Sequence, residues 1–343
     1  MSTPIRHEHE SGFTLAIDDS SQVGEARRAA AAVASFAGLS ETDAGKFSIL
    51  VTEAATNIAK HAGRGEIMLR ALNRHDAKGA ELIAIDSGPG IADFDRAARD
   101  GYSTAGSTGS GLGALSRLAT QFDIFTAAGA GTVLAARVET DRAKAQRSRS
   151  YDVGVVRVPK RGESECGDDW GFVQNDGGRL MVALADGLGH GPSAAEASRR
   201  AVAIARERAV EPAGRIVSEV HAGLRATRGA ALAVAAIDAD GTSLRFCGLG
   251  NISAAIVSPR DSKSLVSHNG IAGHEMRKVQ EFVYEWSPDA TLVMHSDGVS
   301  ARWDLARYPG LAVRSPSVVA GVIYRDFSRG RDDALVVVVR AAT

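Results

Sequence analysis

The chain has 343 residues, of which 44% are hydrophobic and 24% are charged, and its formal net charge is -1. A single hydrophobic core stops growing at about 250 residues, so this length predicts two folded domains. The composition excludes a largely disordered chain. The balanced charge excludes a general attraction for nucleic acid or an anionic membrane, and the two cysteines cannot form a disulfide framework. The N-terminus lacks a signal-peptide core, and no apolar run reaches the about 18 residues of a membrane helix. We therefore expect a cytoplasmic protein with neither a nucleic-acid nor a membrane partner.

A polar segment divides the chain into two patterned halves. Residues 141–150 read DRAKAQRSRS, contain no apolar residue larger than alanine, and separate the strand-like runs GTVLAARV and YDVGVVRV. A basic nucleic-acid patch is a less common origin of so short a charged run than a solvated linker. We therefore predict a domain at 1–140, a linker at 141–150 and a second domain at 151–343.

The first half is predicted to be an α+β pair of layers. The stretches 21–38 and 40–63 each begin near a capping residue, continue through alanine-rich sequence and end at glycine, which predicts two helices. A further helical stretch opens after Gly113. Between 67 and 139 the strand-like runs are IMLRAL, ELIAIDS, FDIFTA and GTVLAARV.

The second of these predicted helices has a polar edge beside its buried stripe. Glu53, Asn57 and His61 recur at positions i, i+4 and i+8, next to apolar residues at three- and four-residue spacing. A carboxylate and an amide on one edge can supply a base and an oxygen ligand for a metal ion. The same spacing also occurs on solvated polar faces, so further motifs must decide between the two interpretations.

Two glycine motifs follow this helix. DSGPGI at 86–91 ends an apolar strand with an acid and two spaced glycines, which allow a ligand to approach the backbone. GSTGSGLGAL at 106–115 opens a helix, whose unpaired N–H groups and dipole can hold phosphate. It lacks the Lys-Ser/Thr ending of a P-loop. The order of acid, glycine motif and helix start indicates a nucleotide site.

Together, EAATNIAKHAG at 53–63 and the two glycine motifs resemble the GHKL ATPase superfamily, in particular its small serine kinases of the RsbT and RsbW switch or anti-sigma type. The resemblance implies a two-layer α/β sandwich of the Bergerat type, which binds ATP with Mg2+ and transfers phosphate to a protein hydroxyl. It makes Glu53 the catalytic base or polarising carboxylate, Asn57 the magnesium ligand and Asp86 the acceptor for the adenine amino group. The other ATP-binding residues that it implies are Gly88, Gly90, Gly109, Gly111, Gly113 and Thr132.

The second half is predicted to be a β-sandwich flanked by helices, because strand-like runs outnumber the helical stretches near 192–209, 212–226 and 315–328. Aspartates recur near the ends of these strands in CGDDW at 166–170, ADGLGHG at 185–191, HSDGVS at 295–300 and GRDDAL at 330–335. One Asp-Gly pair alone is typical of a turn. Several gathered carboxylates repel one another unless they are protonated or bind cations, and two divalent ions can activate water against a phosphoester.

This order of motifs resembles the PPM-type serine/threonine phosphatases of the SpoIIE, RsbU and RsbX branch, most specifically through DGLGHG, and also through GLGNIS at 248–253. The resemblance implies an αββα sandwich that binds two Mn2+ or Mg2+ ions. The metal ligands that it implies are Asp168, Asp186, Gly187 through its carbonyl, Asp297 and Asp332. Asp169 could replace Asp168 and Asp333 could replace Asp332, and His190 is either a turn residue or a phosphate contact.

The two resemblances predict a bifunctional signalling protein, a serine/threonine kinase fused to a phosphoserine/phosphothreonine phosphatase. The implied partner is a phosphorylatable STAS-domain antagonist or a stressosome-like scaffold, with a downstream phosphatase or a sigma-regulatory protein as further candidates. The alternative is an ATP-regulated phosphatase whose N-terminal domain only binds and sequesters a partner. Because opposed activities on one target would waste ATP, we expect regulation between the domains.

Overall fold

The computed structural model describes residues 12–74, 77–91, 111–140, 151–259 and 261–342. These residues form two compact units. The first unit contains the described part of 12–140 together with Pro309–Arg325, and the second contains the described parts of 151–308 and 326–342. The linker predicted at 141–150 lies outside the described residues, so the predicted domain boundary stays a prediction.

The first unit is built on an antiparallel sheet. Its elements in the N-terminal half are β1 (Gly12–Ile17), α1 (Val23–Ala37), α2 (Glu41–Asn57), β2 (Gly65–Arg74), β3 (Ala77–Asp86), α3 (Gly111–Leu118), β4 (Gln121–Thr126) and β5 (Thr132–Glu139). The described strands are hydrogen-bonded in the order β1-β2-β3-β5-β4, and each of these pairings is antiparallel. Side chains of α1, α2 and the sheet share one buried core.

Local sequence signals position the two long helices. α1 ends where Gly38 adopts a left-handed φ of 65°, and Ser40 then caps α2 by accepting the Asp43 N–H at 3.1 Å. Phe47 and Leu50 on the apolar side of α2 are fully buried. Both predicted helices are therefore present, but α2 ends at Asn57 instead of continuing to residue 63 as an α-helix.

The second unit contains two sheets that pack face to face. Its strands are β6 (Tyr151–Val158), β7 (Asp168–Gln174), β8 (Leu180–Gly187), β9 (Ala230–Ile237), β10 (Ser243–Leu249), β11 (Ser253–Val257), β12 (Ser262–Ser264), β13 (Ser267–His268), β14 (Phe282–Glu285), β15 (Thr291–His295) and β16 (Ala334–Ala341). One described sheet has the order β13-β10-β9-β8-β7, with β14 also paired to β10, and the other has the order β12-β11-β15-β16-β6. Both sheets contribute side chains to one shared core, so the predicted sandwich is present.

Two helices cover the outer face of the sheet that contains β8. These helices are α4 (Pro192–Glu207) and α5 (Ala213–Gly223), and Ala201 and Val217 on them share a core with Ala183 and Val234 of the sheet. Among the described residues, no helix combines the length and the apolar character needed to cross a membrane.

The last helix, α6 (Pro316–Phe327), is part of the packing of the first unit up to Arg325. A Cβ added at Gly321 would lie 2.5 Å from the Val133 Cγ1, so the glycine allows α6 to lie close to β5. The Ser317 hydroxyl donates to the Glu81 Oε1 on β3 at 2.7 Å. A helix near 315–328 follows from the sequence of the second half, but its contact with the sheet of the first unit does not.

Candidate nucleotide and metal sites

Glu53 and Asn57 lie one helical turn apart on α2, and both are partly buried. After Asn57 the chain forms a single π-helical turn, Ile58–Ala62, so the α-helical spacing expected as far as His61 is wrong beyond Asn57. His61 is exposed. Single π turns occur frequently at functional sites, because they change the direction of the side chains that follow. The candidate pair on this helix is therefore Glu53 and Asn57, without His61.

Asp86 lies at the end of β3 and is partly exposed. Its Oδ1 accepts the Gly88 N–H at 2.8 Å. Burial raises the pKa of this carboxyl, and hydrogen bonds from the backbone of Gly88 and Thr132 oppose the rise. Thr132 is paired with Asp86 across β5 and β3, and its hydroxyl lies 3.1 Å from the Thr126 hydroxyl. A carboxylate held in this way can accept a hydrogen bond from a ligand amino group.

The glycines that follow Asp86 are required by the backbone itself. A Cβ at Gly88 would lie 2.7 Å from the Ala62 Cβ. At Gly90, where φ is 67°, a Cβ would lie 2.0 Å from the Ala127 carbonyl oxygen. The packing of the backbone therefore requires glycine at both positions, whether or not these glycines also shape an adenine pocket.

The first half of the second glycine motif, residues 106–110 with Gly109, lies outside the described residues. α3 begins at Gly111, and Gly113 is buried in its first turn. The Gly113 carbonyl accepts the Ser116 hydroxyl at 3.0 Å. Phosphate binding by these glycines stays a prediction.

Strand pairing brings the first two predicted metal ligands together. Asp168, at the start of β7, is paired in register with Asp186 near the end of β8. Asp168 is only 1% exposed. Burial and the charge of Asp186 raise the pKa of Asp168, because a buried carboxylate beside another carboxylate is poorly solvated and repelled.

The same repulsion extends to the other predicted ligands. Burial, followed by the charges of Asp297, Asp332 and Asp333, raises the pKa of Asp186 to about 7. Burial and the charge of Asp332 also raise the pKa of Asp297. Without metal the cluster therefore retains a proton near neutral pH, and a divalent cation would displace it.

The strand geometry distinguishes Asp168 from Asp169. Successive side chains of a strand point to opposite faces, so only one of the two can face Asp186. Asp168 pairs with Asp186, whereas Asp169 lies 4.0 Å from the Arg157 Nε. The position of Asp168 favours it as the ligand.

Asp332 and Asp333 both act on the cluster, in different environments. Asp332 is exposed, whereas Asp333 is buried and its Oδ1 accepts the Lys160 N–H at 2.8 Å. The charges of both residues act on Asp186. The structure therefore leaves both as candidate ligands.

Gly187 lies where β8 meets the start of α4. A Cβ at this position would lie 2.1 Å from the Ala194 carbonyl oxygen, and the Gly187 N–H donates to the Gly167 carbonyl at 3.1 Å. A side chain would therefore separate the strand from the helix. Metal binding through the Gly187 carbonyl stays a prediction.

Two residues without a predicted role contact residues of the aspartate motifs. The Asn251 side-chain amide donates to the Asp297 Oδ2 at 2.6 Å, and the Glu163 Oε1 lies 2.6 Å from the His190 Nδ1. Asn251 belongs to the GLGNIS motif at 248–253, and this motif is the sequence feature that could have identified it. Glu163 precedes His190 by 27 residues, and no local pattern connects them.

The oxygen donors of this cluster fit hard divalent cations. The Oδ2 atoms of Asp168 and Asp333 are buried without a hydrogen-bond partner, and Mg2+ and Mn2+ prefer carboxylate ligands. Among the described residues, no three acidic, histidine or cysteine side chains are arranged as a closed ligand set. The described residues thus supply negative charge and oxygen donors.

The fold and these sites define a two-part class of protein, a kinase-like ATPase joined to a PPM-type phosphatase domain. The family described as "Histidine kinase-like ATPase domain" matches residues 17–138. The family described as "Stage II sporulation protein E (SpoIIE)" matches residues 176–342. The predicted pair of family resemblances is confirmed.

Relatives in Bacillus subtilis (strain 168) refine this assignment. The chain is 36% identical over 111 residues to the serine/threonine-protein kinase RsbT, which covers 32% of this chain and 84% of RsbT. It is 26% identical over 147 residues to the phosphoserine phosphatase RsbX, which covers 43% of this chain and 73% of RsbX. The chain therefore belongs to the RsbT family of kinase-like ATPases, and its C-terminal part is a phosphatase domain related to RsbX.

Solved structures agree with the predicted fold class. A structure described as "The bacterial stressosome: a modular system that has been adapted to control secondary messenger signaling" aligns with a TM-score of 0.52 and 27% identity, over 56% of this chain and all 100% of that chain. RsbX in complex with magnesium aligns with a TM-score of 0.51 and 20% identity, over 57% of this chain and 96% of that chain. The second similarity shows the fold alone.

Proposed function

We propose that this chain is a bifunctional signalling protein that sets the phosphorylation of serine or threonine on a partner protein. The ATPase unit adds phosphate from ATP, and the phosphatase unit removes it. The partner is a phosphorylatable STAS-domain antagonist or a stressosome-like scaffold. The observation that carries the proposal is the cluster of aspartates around the partly buried Asp186, where divalent cations would relieve the repulsion between like charges.

In the phosphatase unit, the residues that would hold the metal ions are Asp168, Asp186, the Gly187 carbonyl, Asp297 and Asp332 or Asp333. When bound, such ions supply a nucleophilic water at neutral pH and positive charge for the phosphate oxygens. Two hydrogen bonds hold the ligands in place. Asn251 donates to the Asp297 carboxylate, and the Arg157 Nε donates to the Asp168 backbone carbonyl at 2.7 Å.

In the ATPase unit, Glu53 would orient or deprotonate the acceptor hydroxyl, and Asn57 would bind the Mg2+ that accompanies ATP. Asp86 would accept the adenine amino group at the end of β3. Phosphoryl transfer depends mainly on positioning and on charge stabilisation, so the placement of Glu53 and Asn57 on one rigid helix suits the reaction.

The alternative function is an ATP-regulated phosphatase whose ATPase unit binds and sequesters a partner without phosphorylating it. The position of α6 favours regulation of this kind, because a segment from the phosphatase half is built into the ATPase unit. Kinase activity is the difference between the two proposals.

The test is transfer of the γ-phosphate of radiolabelled ATP to a STAS-domain partner, comparing the wild type with Asp186→Asn and Glu53→Gln. If both activities act on one substrate, label accumulates with Asp186→Asn and disappears when Glu53→Gln is added to it. If no variant labels the partner while the wild type still dephosphorylates a prephosphorylated one, the ATPase unit is a binding module. If Asp186→Asn keeps the phosphatase activity and Glu53→Gln keeps the kinase activity, the assigned sites are wrong.

A further inference from the structure

Helix α6 completes a buried ionic network in the ATPase unit. The Glu81 carboxylate on β3 receives hydrogen bonds from the Nε atoms of Arg70 and Arg137. Ser317 of α6 donates to Glu81 and accepts the Arg137 Nη2 at 3.1 Å. All four residues are buried. Buried charged groups need such partners, so the face of the sheet is built to receive α6.

Contacts on both sides of Ser317 extend this docking. Before α6, Asp123 on β4 accepts the Arg314 Nη1 at 3.1 Å and also the Ser315 N–H. Near the end of α6, Tyr324 hydrogen-bonds to Glu66 on β2. The segment is therefore fixed to the sheet at both ends.

Helix α6 lies beside the strand ends that form the candidate nucleotide site. A Cβ added at Gly321 would lie 2.5 Å from the Val133 Cγ1 and 3.5 Å from the Ile85 Cδ1, and these residues adjoin Thr132 and Asp86. In the same helix, the positive charge of Arg325 lowers the pKa of Asp86 against the larger effect of burial. Asp86 is the residue proposed to bind the adenine amino group. A nucleotide at Asp86 would therefore meet a carboxylate whose charge α6 partly balances.

Shortly after Arg325 the chain hydrogen-bonds to the loop that follows the candidate ligand Asp297. The Phe327 carbonyl accepts the Ser300 N–H at 2.9 Å, and the Arg329 N–H donates to the Gly298 carbonyl at 2.8 Å. Gly298 directly follows the candidate ligand Asp297. The segment after α6 is thus hydrogen-bonded to the loop that carries this ligand.

We propose that α6 couples the two sites, so that nucleotide bound at Asp86 shifts α6 and, through residues 326–333, changes the candidate metal loops. The inference rests on the proposed function, because it takes Asp86 as part of a nucleotide site. A two-ended connection of this kind is a physical route for coupling, since α6 is anchored in the ATPase unit and continues covalently to Asp332 and Asp333.

The test is amide hydrogen exchange of the full-length chain, with and without saturating Mg·ADP at equal free Mg2+. We expect ADP to change exchange at least about fivefold, the lower end of common allosteric coupling, in peptides covering 296–302 and 326–334. A peptide from β9 (Ala230–Ile237) serves as the internal control and should not respond. Calorimetry on the same samples measures ADP binding.

Substitutions in α6 test the route. Arg325→Gln removes the charge beside Asp86, and Gly321→Ala places a methyl group against Val133, so each should reduce the response in both peptides below twofold while ADP still binds. Arg277→Gln removes an arginine whose side chain is 87% exposed and should leave the response unchanged. If Arg325→Gln prevents ADP binding, the exchange response of Gly321→Ala decides whether the coupling passes through α6.

The outcomes separate the inference from the proposed function. If ADP binds to the wild type and the two peptides respond less than fivefold, the coupling is wrong and the nucleotide site stands. A full response in α6 variants that still bind ADP would also overturn the route through α6. If calorimetry detects no ADP binding to the wild type, the nucleotide part of the proposed function fails, and the inference fails with it.

Discussion

Two carboxylates, the buried Glu81 of the first unit and the partly buried Asp186 of the second, show opposite electrostatics. Burial disfavours the ionised form of Glu81, but the charges of Arg137 and Arg70 lower its pKa to about 2. Burial disfavours the ionised form of Asp186 too, and the neighbouring aspartates raise its pKa to about 7. Glu81 is neutralised by the protein itself, whereas Asp186 faces further negative charge. An acid paired with cations of the protein, such as Glu81, stabilises the fold, whereas an acid beside further acids, such as Asp186, indicates a site for a cation from outside.

The largest effect should come from removing the charge of Asp186. We expect Asp186→Asn to lower metal-dependent hydrolysis of p-nitrophenyl phosphate at least about a thousandfold, about 4 kcal/mol, because a metal ligand is lost. Above about pH 7, where Asp186 is ionised, the same change should raise the Tm of the metal-free protein, since it removes one of several repelling charges. Asp176→Asn, in an exposed turn, is the matched control and should change neither quantity. An active Asp186→Asn enzyme would show that the cluster is not the metal site.

Removing the charge of Glu81 should instead damage the fold. Glu81→Gln leaves Arg70 and Arg137 buried without their counter-charge, so we expect about 3 kcal/mol loss in the free energy of unfolding. Urea unfolding measures this loss, and Glu25→Gln on the exposed side of α1 should be neutral. If Glu81→Gln leaves the free energy of unfolding unchanged, the charge of Glu81 does not stabilise the fold.

The pH dependence of stability should differ between metal-free and metal-bound protein. The pKa of Asp186 rises on folding from 3.8 to about 7, so the stability from its protonated form is complete below the unfolded value and is lost as the pH rises through the folded one. Between pH 5 and 7.5 the metal-free protein should lose about 2–3 kcal/mol. The Glu81 network stays ionised throughout this window. With saturating Mn2+ this loss of stability should disappear. If the same loss occurs with Mn2+, the group that titrates is not part of the metal site.

The smallest effect concerns the hydrogen bond that orients Asp297. We expect Asn251→Ala to weaken Mn2+ binding about tenfold, because residues that orient metal ligands typically contribute at least this much. Titration calorimetry gives the Kd, and Asn269→Ala on the exposed surface is the control. Equal affinities of the two variants would remove Asn251 from the site.

Much of the local structure could be predicted from sequence, because capping and periodicity act over a few residues. Ser40 and Gly38 delimit the first two helices, as the capping signals indicate. The π turn after Asn57 could not be predicted, because α-helical spacing continues across it in the sequence. Residues of the second glycine motif lie partly outside the described structure, and their role stays a prediction.

The candidate metal site could be predicted as a set of residue types, but not as a geometry. The acid motifs at strand ends indicate that carboxylates gather. The choice between Asp168 and Asp169 depends on strand register, because a shift of one residue moves every side chain to the other face. Asn251 contacts Asp297 and Glu163 contacts His190 from other segments of the chain, so both contacts depend on the folded chain.

The sequence by itself determined the helices and most of the strands, but not β1, β7, β12 or β13, together with the two family resemblances and the kinds of side chain available for nucleotide and metal. Only the tertiary structure decided that α6 packs on the sheet of the ATPase unit. The hydrogen bond between Ser317 and Glu81 joins residues 236 positions apart, and local patterns carry no information about so distant a partner. α6 is also buried on every residue from Pro316 to Ile323, so its periodicity singles out no face for a particular neighbour.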